Sequence, residues 1–420
     1  LEALEKHPAW VRMLIDSFEL VATDSVGGKE AVAMLRDKAL TPDAPTTWRE
    51  ALAHICVVTG AYTDALILLA DLDREKQAAG KLVLQLAHTL ARRGSPEIAL
   101  AALDSVLALS PRPTIAAQSW YEKAEILQSL ERPREAVLAY EELAKRFPKG
   151  ALAMQARMQH GALLMEPLRN LTAAQEVYAS ILDELPRHPR QKGLRNMRDH
   201  VLLALGECAL RSGNLAEADS TFCRLEREAN QVEMKEQAAY EHAEILFYQG
   251  HFQEAEEAYY KLTDHYEAGR WVNNALARAL LLGEFGMAAG PLLEVFAHIQ
   301  QHIRTGDWED ALELCSEALD DTTSDGLGGH LRSAQIQLSG RLGHWAQADS
   351  LLALMLEQEG VSILTPVALL WMAQQAEAIT ERRDLALQYY EDVILRYPDS
   401  LEARRARARL RVLLKADEQS

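Results

Sequence analysis

The sequence predicts an all-α chain of stacked helical hairpins, and three features at constant spacing carry that expectation. An alanine followed four residues later by a bulky or apolar residue recurs as Ala31/Leu35, Ala65/Leu69, Ala99/Leu103, Ala136/Tyr140, Ala174/Tyr178, Ala218/Phe222, Ala255/Tyr259, Ala311/Cys315, Ala348/Leu352 and Ala386/Tyr390. Successive alanines lie 34, 34, 37, 38, 44, 37, 56, 37 and 38 residues apart. One such pair is commonplace in helices, but ten near a single period need a common cause. Glycine stands five residues before the alanine at Gly60, Gly94, Gly213, Gly250, Gly306 and Gly343, where a left-handed turn carries no steric penalty for it. Proline stands twelve residues after it at Pro111, Pro148, Pro186 and Pro398 and stops the helix.

The chain opens with an amphipathic segment, Pro8 to Ala22, ahead of Gly27, Gly28 and the helix of Ala31. It begins at Leu1 without a methionine or a positive-then-apolar leader, as a processed chain or a fragment would. The clearest unit is Trp120 to Pro148. Trp120, Ala124 and Leu127 form one apolar stripe, and Ala136, Tyr140 and Leu143 form another. Small residues at Ala124 and Ala136 let two helix backbones approach, with Tyr140 filling the space beside them. Small residues recur twelve before the signature alanine at Ala53, Ala87, Ala162, Gly206 and Ala243.

One joint breaks the period. Trp271 and Ala275 are spaced as Trp120 and Ala124 are, so a first helix is expected there. The glycines and Pro291 of the stretch 283–291 then shorten or remove the second helix. This predicts an amino-terminal arm over 1–282, an irregular joint over 283–304 and a carboxy-terminal arm over 305–420. Ser400 is placed to cap a last helix running towards Lys415, which would cover the end of the stack.

These residues resemble the tetratricopeptide-repeat family, whose pattern is Trp-x-x-Leu-Gly-x-x-Tyr, then Ala-x-x-x-Phe, then Pro. The likeness runs from about residue 8 to 400 and is best over Trp120 to Pro148 and Leu202 to Leu225, where Leu205, Gly206, Gly213, Ala218 and Phe222 stand. The resemblance implies a right-handed superhelical α-solenoid of about ten hairpins with a C-terminal capping helix. It also implies a protein- or peptide-binding scaffold rather than an enzyme.

Composition narrows the partners. The formal charge of −18 repels phosphate backbones, so nucleic acid is not expected. No apolar run is long enough for a membrane span. Two basic clusters run against the overall sign: Arg187, His188, Arg190, Lys192, Arg195 and Arg198, and Arg404, Arg405, Arg407, Arg409 and Arg411. Both are expected to be solvated loop or helix surface.

No catalytic or cofactor pattern emerges. Cys56, Cys208, Cys223 and Cys315 form no Cys-x-x-Cys pair and are expected as small core residues, with a Cys208–Cys223 bridge left open. Glu294, His298 and His302 share a helix face but lack a second ligand cluster, so a polar stripe is the expectation. The loop from Asp321 to Gly326 places Arg332 where a calcium loop needs its bidentate glutamate. Gly326, Gly328 and Gly329 do not follow a strand and Gly27-Gly28-Lys29 lacks phosphate-loop spacing, so nucleotide binding is not expected, and Asn170-Leu171-Thr172 is a sequon by pattern only. No metal and no cofactor is expected.

The resemblance implies that first helices line a concave groove, with inward positions fifteen and eleven residues before each signature alanine. Those offsets give Glu50 and His54, Leu84 and His88, Tyr121 and Glu125, Gln159 and Leu163, Leu203 and Glu207, and Tyr240 and Glu244, with Phe247 one turn on. Tyr121, Glu125, Gln159, Glu207, Tyr240, Glu244 and Phe247 are the expected partner-binding residues. Aromatics offer contact area and carboxylates favour Lys or Arg on a protein or peptide partner. The alternative is an accessory or targeting domain of a larger enzyme or secretion system. The junctions at Phe147–Pro148 and Tyr397–Pro398 resemble those of bacterial envelope members of the family, which points to the periplasm or envelope, with the cytoplasm as alternative.

Overall fold

The computed structural model describes residues 26–41, 44–109, 111–186, 191–286, 290–320, 326–357 and 364–417. Among them there are 21 α-helices and no strand. The chain forms two compact units, residues 1–184 and 185–420. The expected helix from Pro8 to Ala22, the basic residues 187–190 and the loop 321–325 lie outside the described residues.

The first unit holds α1 (Val26–Ala39), α2 (Thr46–Val58), α3 (Tyr62–Glu75), α4 (Lys81–Arg92), α5 (Pro96–Ala108), α6 (Pro113–Ser129), α7 (Pro133–Arg146), α8 (Ala151–Met165) and α9 (Leu171–Glu184). From α2 onward these are four hairpins, α2/α3 to α8/α9, each packed on its neighbour. The core lies within and between them. Ala124, Ala136 and Tyr140 are completely buried, and the Tyr140 hydroxyl donates to Gln128 Oε1 at 2.8 Å.

The expected turn chemistry is present at every glycine named for it: Gly60, Gly94, Gly213, Gly250, Gly306 and Gly343 all have φ between +74° and +88°. Glu131 and Arg169 stand at the same place in their hairpins and adopt φ of 57° and 52° without being glycine. Exposed Glu131 therefore carries a steric cost that glycine would not. Glu131→Gly is expected to stabilise the first unit by about 0.5–1 kcal/mol, measured as a rise in its denaturant midpoint.

The second unit holds α10 (Lys192–Arg211), α11 (Leu215–Glu228), α12 (Val232–Tyr248), α13 (Phe252–His265), α14 (Val272–Phe285), α15 (Gly290–Thr305), α16 (Trp308–Asp320), α17 (Leu327–Arg341), α18 (Trp345–Glu357), α19 (Leu364–Glu377), α20 (Arg383–Arg396) and α21 (Leu401–Asp417). Five hairpins run α10/α11, α12/α13, α15/α16, α17/α18 and α19/α20. Helix α21 packs on α19 and α20 through buried Ala403 and Ala406, and Ser400 Oγ accepts from the Ala403 amide at 3.1 Å, which is the predicted cap.

Helix α14 packs on α13 as a first helix with no second helix following it, the loss expected after Gly283. The arms drawn from that loss are corrected. The stretch 283–304 lies inside the second unit, and the division between units falls in the connection between α9 and α10. The physical reason is that α15, freed from a partner after α14, folds back against α12 and α10 and ties the stretch into the same core.

Candidate interaction surface

The seven expected binding residues divide between the two units. In the first unit, Pro113 starts α6, whose fixed φ suits a first helical turn, and the helix carries Tyr121, Glu122 and Glu125. The Tyr121 ring meets that of Tyr140 edge-on, with centroids 5.6 Å apart, so its orientation is fixed by the hairpin beneath it. Glu122 Oε1 accepts from Gln118 Nε2 at 2.8 Å and lies 2.8 Å from His88 Nε2 of α4. Glu125 is exposed and makes no ion pair among the described residues. Partial desolvation and the nearby Glu122 carboxylate hold Glu125 above the usual carboxylate range. Partial burial and Glu125 raise Tyr121 in the same way. Two acidic groups thus sit side by side with a tyrosine, and among the described residues only Glu122 of the two has hydrogen-bond partners. Towards the amino end, Glu50 is paired with Lys76, His54 is exposed and Leu84 is buried.

Gln159 is exposed but lies one position round the helix from where the offset placed it. The turn from Met165 to Leu171 is longer than that from Ser129 to Pro133. The small residue of this hairpin is consequently Gly161, not Ala162: a Cβ on Gly161 would stand 2.6 Å from the Tyr178 ring. Gly206 meets Phe222 in the same way at 2.5 Å. The positions on α8 equivalent to Tyr121 and Glu125 are therefore Met158 and Ala162.

In the second unit the expectation of an open groove is corrected: Tyr240, Glu244 and Phe247 are buried and Glu207 is half-buried. Helices α14 and α15 cover them. Tyr240 stacks on Trp271 at 4.7 Å, and Phe247 is enclosed by Phe252 and by Phe296 of α15. Glu244 accepts from the Tyr259 hydroxyl at 2.6 Å, the Tyr248 hydroxyl at 2.9 Å and Arg278 Nε at 3.0 Å. Burial pushes its carboxyl upward, but Arg278 and the two hydroxyls outweigh it and hold Glu244 below the usual range. The Arg278 guanidinium also lies 4.8 Å from the Phe247 ring centre. From α15, Arg304 Nη2 donates to Glu207 Oε2 at 2.7 Å and to Glu241 Oε1 at 2.9 Å.

Glu241 is the least satisfied member of this group. Burial pushes its carboxyl up to about 7 against the pull of Arg304, with Glu207 and Glu244 adding to the rise. Its second oxygen, Oε2, has no hydrogen-bond partner. A carboxyl whose folded value lies above its unfolded one binds more protons when folded, so its contribution to stability falls as pH rises between about 4.5 and 7. Glu241→Gln is therefore expected to protect α12 and α15 better than the native residue at pH 8, by of the order of 2 kcal/mol, with the difference vanishing below about pH 4. Amide exchange at the two pH values measures it.

Sequence offsets missed Glu122, Arg278 and Arg304. Arg278 stands three residues after Ala275, where α6 has Leu127 after Ala124 and α8 has Leu164 after Gly161, so a charge at a leucine position was the available signal. Of the two basic clusters, Arg198 is buried and pairs with Glu228 at 3.3 Å, and Arg409 pairs with Glu377. Asn170 Oδ1 accepts from the Ala173 amide at 3.2 Å and so caps α9. All four cysteines are free thiols, and Cys208 is fully buried. No helix among the described residues is long and apolar enough to cross a membrane.

A family profile described as tetratricopeptide repeat matches residues 84–151, from α4 to the start of α8, and a second of that description matches residues 367–400, over α19 and α20. Among solved structures the chain is similar to a tetratricopeptide-repeat protein from Parabacteroides merdae, at 13% identity over 70% of this chain and 99% of that one, with a TM-score of 0.39. It is similar to the apo form of RapI at 11% identity over 82% of this chain and 98% of that one, TM-score 0.44. It is also similar to PilF of Pseudomonas aeruginosa, at 18% identity over 58% and 91%, TM-score 0.32. No curated protein matches.

Proposed function

The chain is a tetratricopeptide-repeat protein, and from that premise we propose that it is a non-catalytic scaffold whose first unit binds a protein or peptide through a basic side chain. Repeats of this family typically bind protein or peptide partners rather than catalyse. One observation supports the choice of surface and of partner chemistry. Glu125, Glu207 and Glu244 all stand eleven residues before their signature alanines. Glu207 and Glu244 each hold an arginine supplied by the chain itself, Arg304 and Arg278. Glu125 holds none among the described residues, and the next first helix carries Leu164 where α14 carries Arg278. The Tyr121–Tyr140–Glu125 group repeats the Tyr240–Tyr259–Glu244 group that surrounds Arg278, at the same offsets. A guanidinium from a partner fits the first as Arg278 fits the second.

The test is selection of displayed peptides on the immobilised chain. Enriched peptides are expected to share an Arg or Lys, and Glu122→Gln/Glu125→Gln is expected to weaken them about tenfold or more and to flatten their salt dependence. Peptides without a basic residue, or affinity unchanged in the double variant, would overturn the proposal.

A further inference from the structure

Three side chains able to ligate a metal converge where α11 meets α12. Asp219 and Cys223 stand one turn apart on α11 and so share a face, and His242 comes to them from α12. His242 Nδ1 is 2.5 Å from Asp219 Oδ1 and 3.6 Å from Cys223 Sγ, and Sγ is 4.0 Å from Oδ1. Among the described residues no other group of three His, Cys, Asp or Glu side chains gathers its ligand atoms so closely. One ring nitrogen faces both neighbours, and its single N–H can be aimed well at only one of them. A cation at the centre would take a lone pair from all three.

We propose that Asp219, Cys223 and His242 bind a divalent cation of the zinc class, with three protein ligands and a fourth position open. A tetrahedral ion with bonds of about 2.3 Å to sulfur and 2.0 Å to nitrogen sets those two atoms about 3.5 Å apart, close to the 3.6 Å between Cys223 and His242. The oxygen and nitrogen must stand about 3.3 Å apart, so the Asp219 carboxylate swings out by roughly 0.8 Å. Its side chain is 35% exposed and has solvent to swing into. His242 also lines a cavity of about 330 Å³ with Glu226 and His265, and the partly exposed cluster leaves the fourth position to water. A thiolate and an imidazole in one site select zinc-class ions over magnesium or calcium, which take oxygen ligands. Cys223 is the one cysteine of the four that is not buried, so an ion can reach it. The bound ion would clip the hairpin α10/α11 to the hairpin α12/α13, because its ligands come from both.

Co2+ is the probe, titrated into the reduced full chain. The expected result is one equivalent bound, with the near-ultraviolet thiolate-to-cobalt band and the visible bands of tetrahedral Co2+, both erased by Zn2+. Cys223→Ser should abolish the thiolate band, and Asp219→Asn and His242→Gln should each weaken Co2+ binding about tenfold or more while helical circular dichroism stays unchanged. Absence of the thiolate band at a stoichiometric excess of Co2+ would overturn the site. So would a band that survives in Cys223→Ser, since the ion would then sit on another thiol.

Discussion

Replacing Arg278 by alanine lowers the stability of the second unit by about 3–5 kcal/mol, because it strands a buried carboxylate. Glu244 is 4% exposed and sits among Tyr248, Tyr259 and Arg278. The two hydroxyls can still donate to it, but neither neutralises it. The loss is therefore the desolvation of an uncompensated charge, together with the contact of the guanidinium on Phe247. Amide exchange in α12 and α13 is the appropriate readout, since a chain of two units has no single unfolding free energy. Removing both charges, as Arg278→Met with Glu244→Gln, should restore most of the loss, the cycle that separates a stranded charge from lost packing. A double variant no more stable than Arg278→Ala would place the effect in packing instead.

Phe222→Ala is expected to cost about 4 kcal/mol, near the upper end for a buried aromatic. The ring is completely buried against Gly206, so closely that a Cβ on that glycine would stand 2.5 Å from it. A glycine has no side chain to lean into the space left behind, and the cavity stays open. The converse follows from the same contact. Gly206→Ala should cost about 1–3 kcal/mol by overpacking, and combining it with Phe222→Leu should recover part of that. Denaturant unfolding with exchange at α10 and α11 measures all three variants.

The hairpins were legible in the sequence because each is a local object. Its turn glycine, its small contact residue and its bulky alanine partner lie within a score of positions, and every glycine named for a turn adopts the left-handed conformation that its spacing implies. The register of Gln159 was not, since a longer turn between α8 and α9 moves the small residue from Ala162 to Gly161 without disturbing any other sign. The coverage of Tyr240, Glu244 and Phe247 was less legible still. It depends on α15 folding back, a contact that joins Arg304 to Glu207 across 97 residues. A period in the sequence reports which faces are alike, not which of them another helix will reach. The cluster of Asp219, Cys223 and His242 escaped for a similar reason: its ligands come from two helices, with no short motif joining them.

The equivalent acidic faces have different fates in the proposed function, the one in the second unit filled by the chain's own arginines and the one in the first unit left for a partner's. Amide exchange on the full chain with a selected basic peptide bound tests this most directly. Exchange is expected to slow in α4, α6 and α8 and not in Glu122→Gln/Glu125→Gln, with α10 to α15 unchanged. Protection confined to α10 to α15, with α6 unaffected, would contradict it.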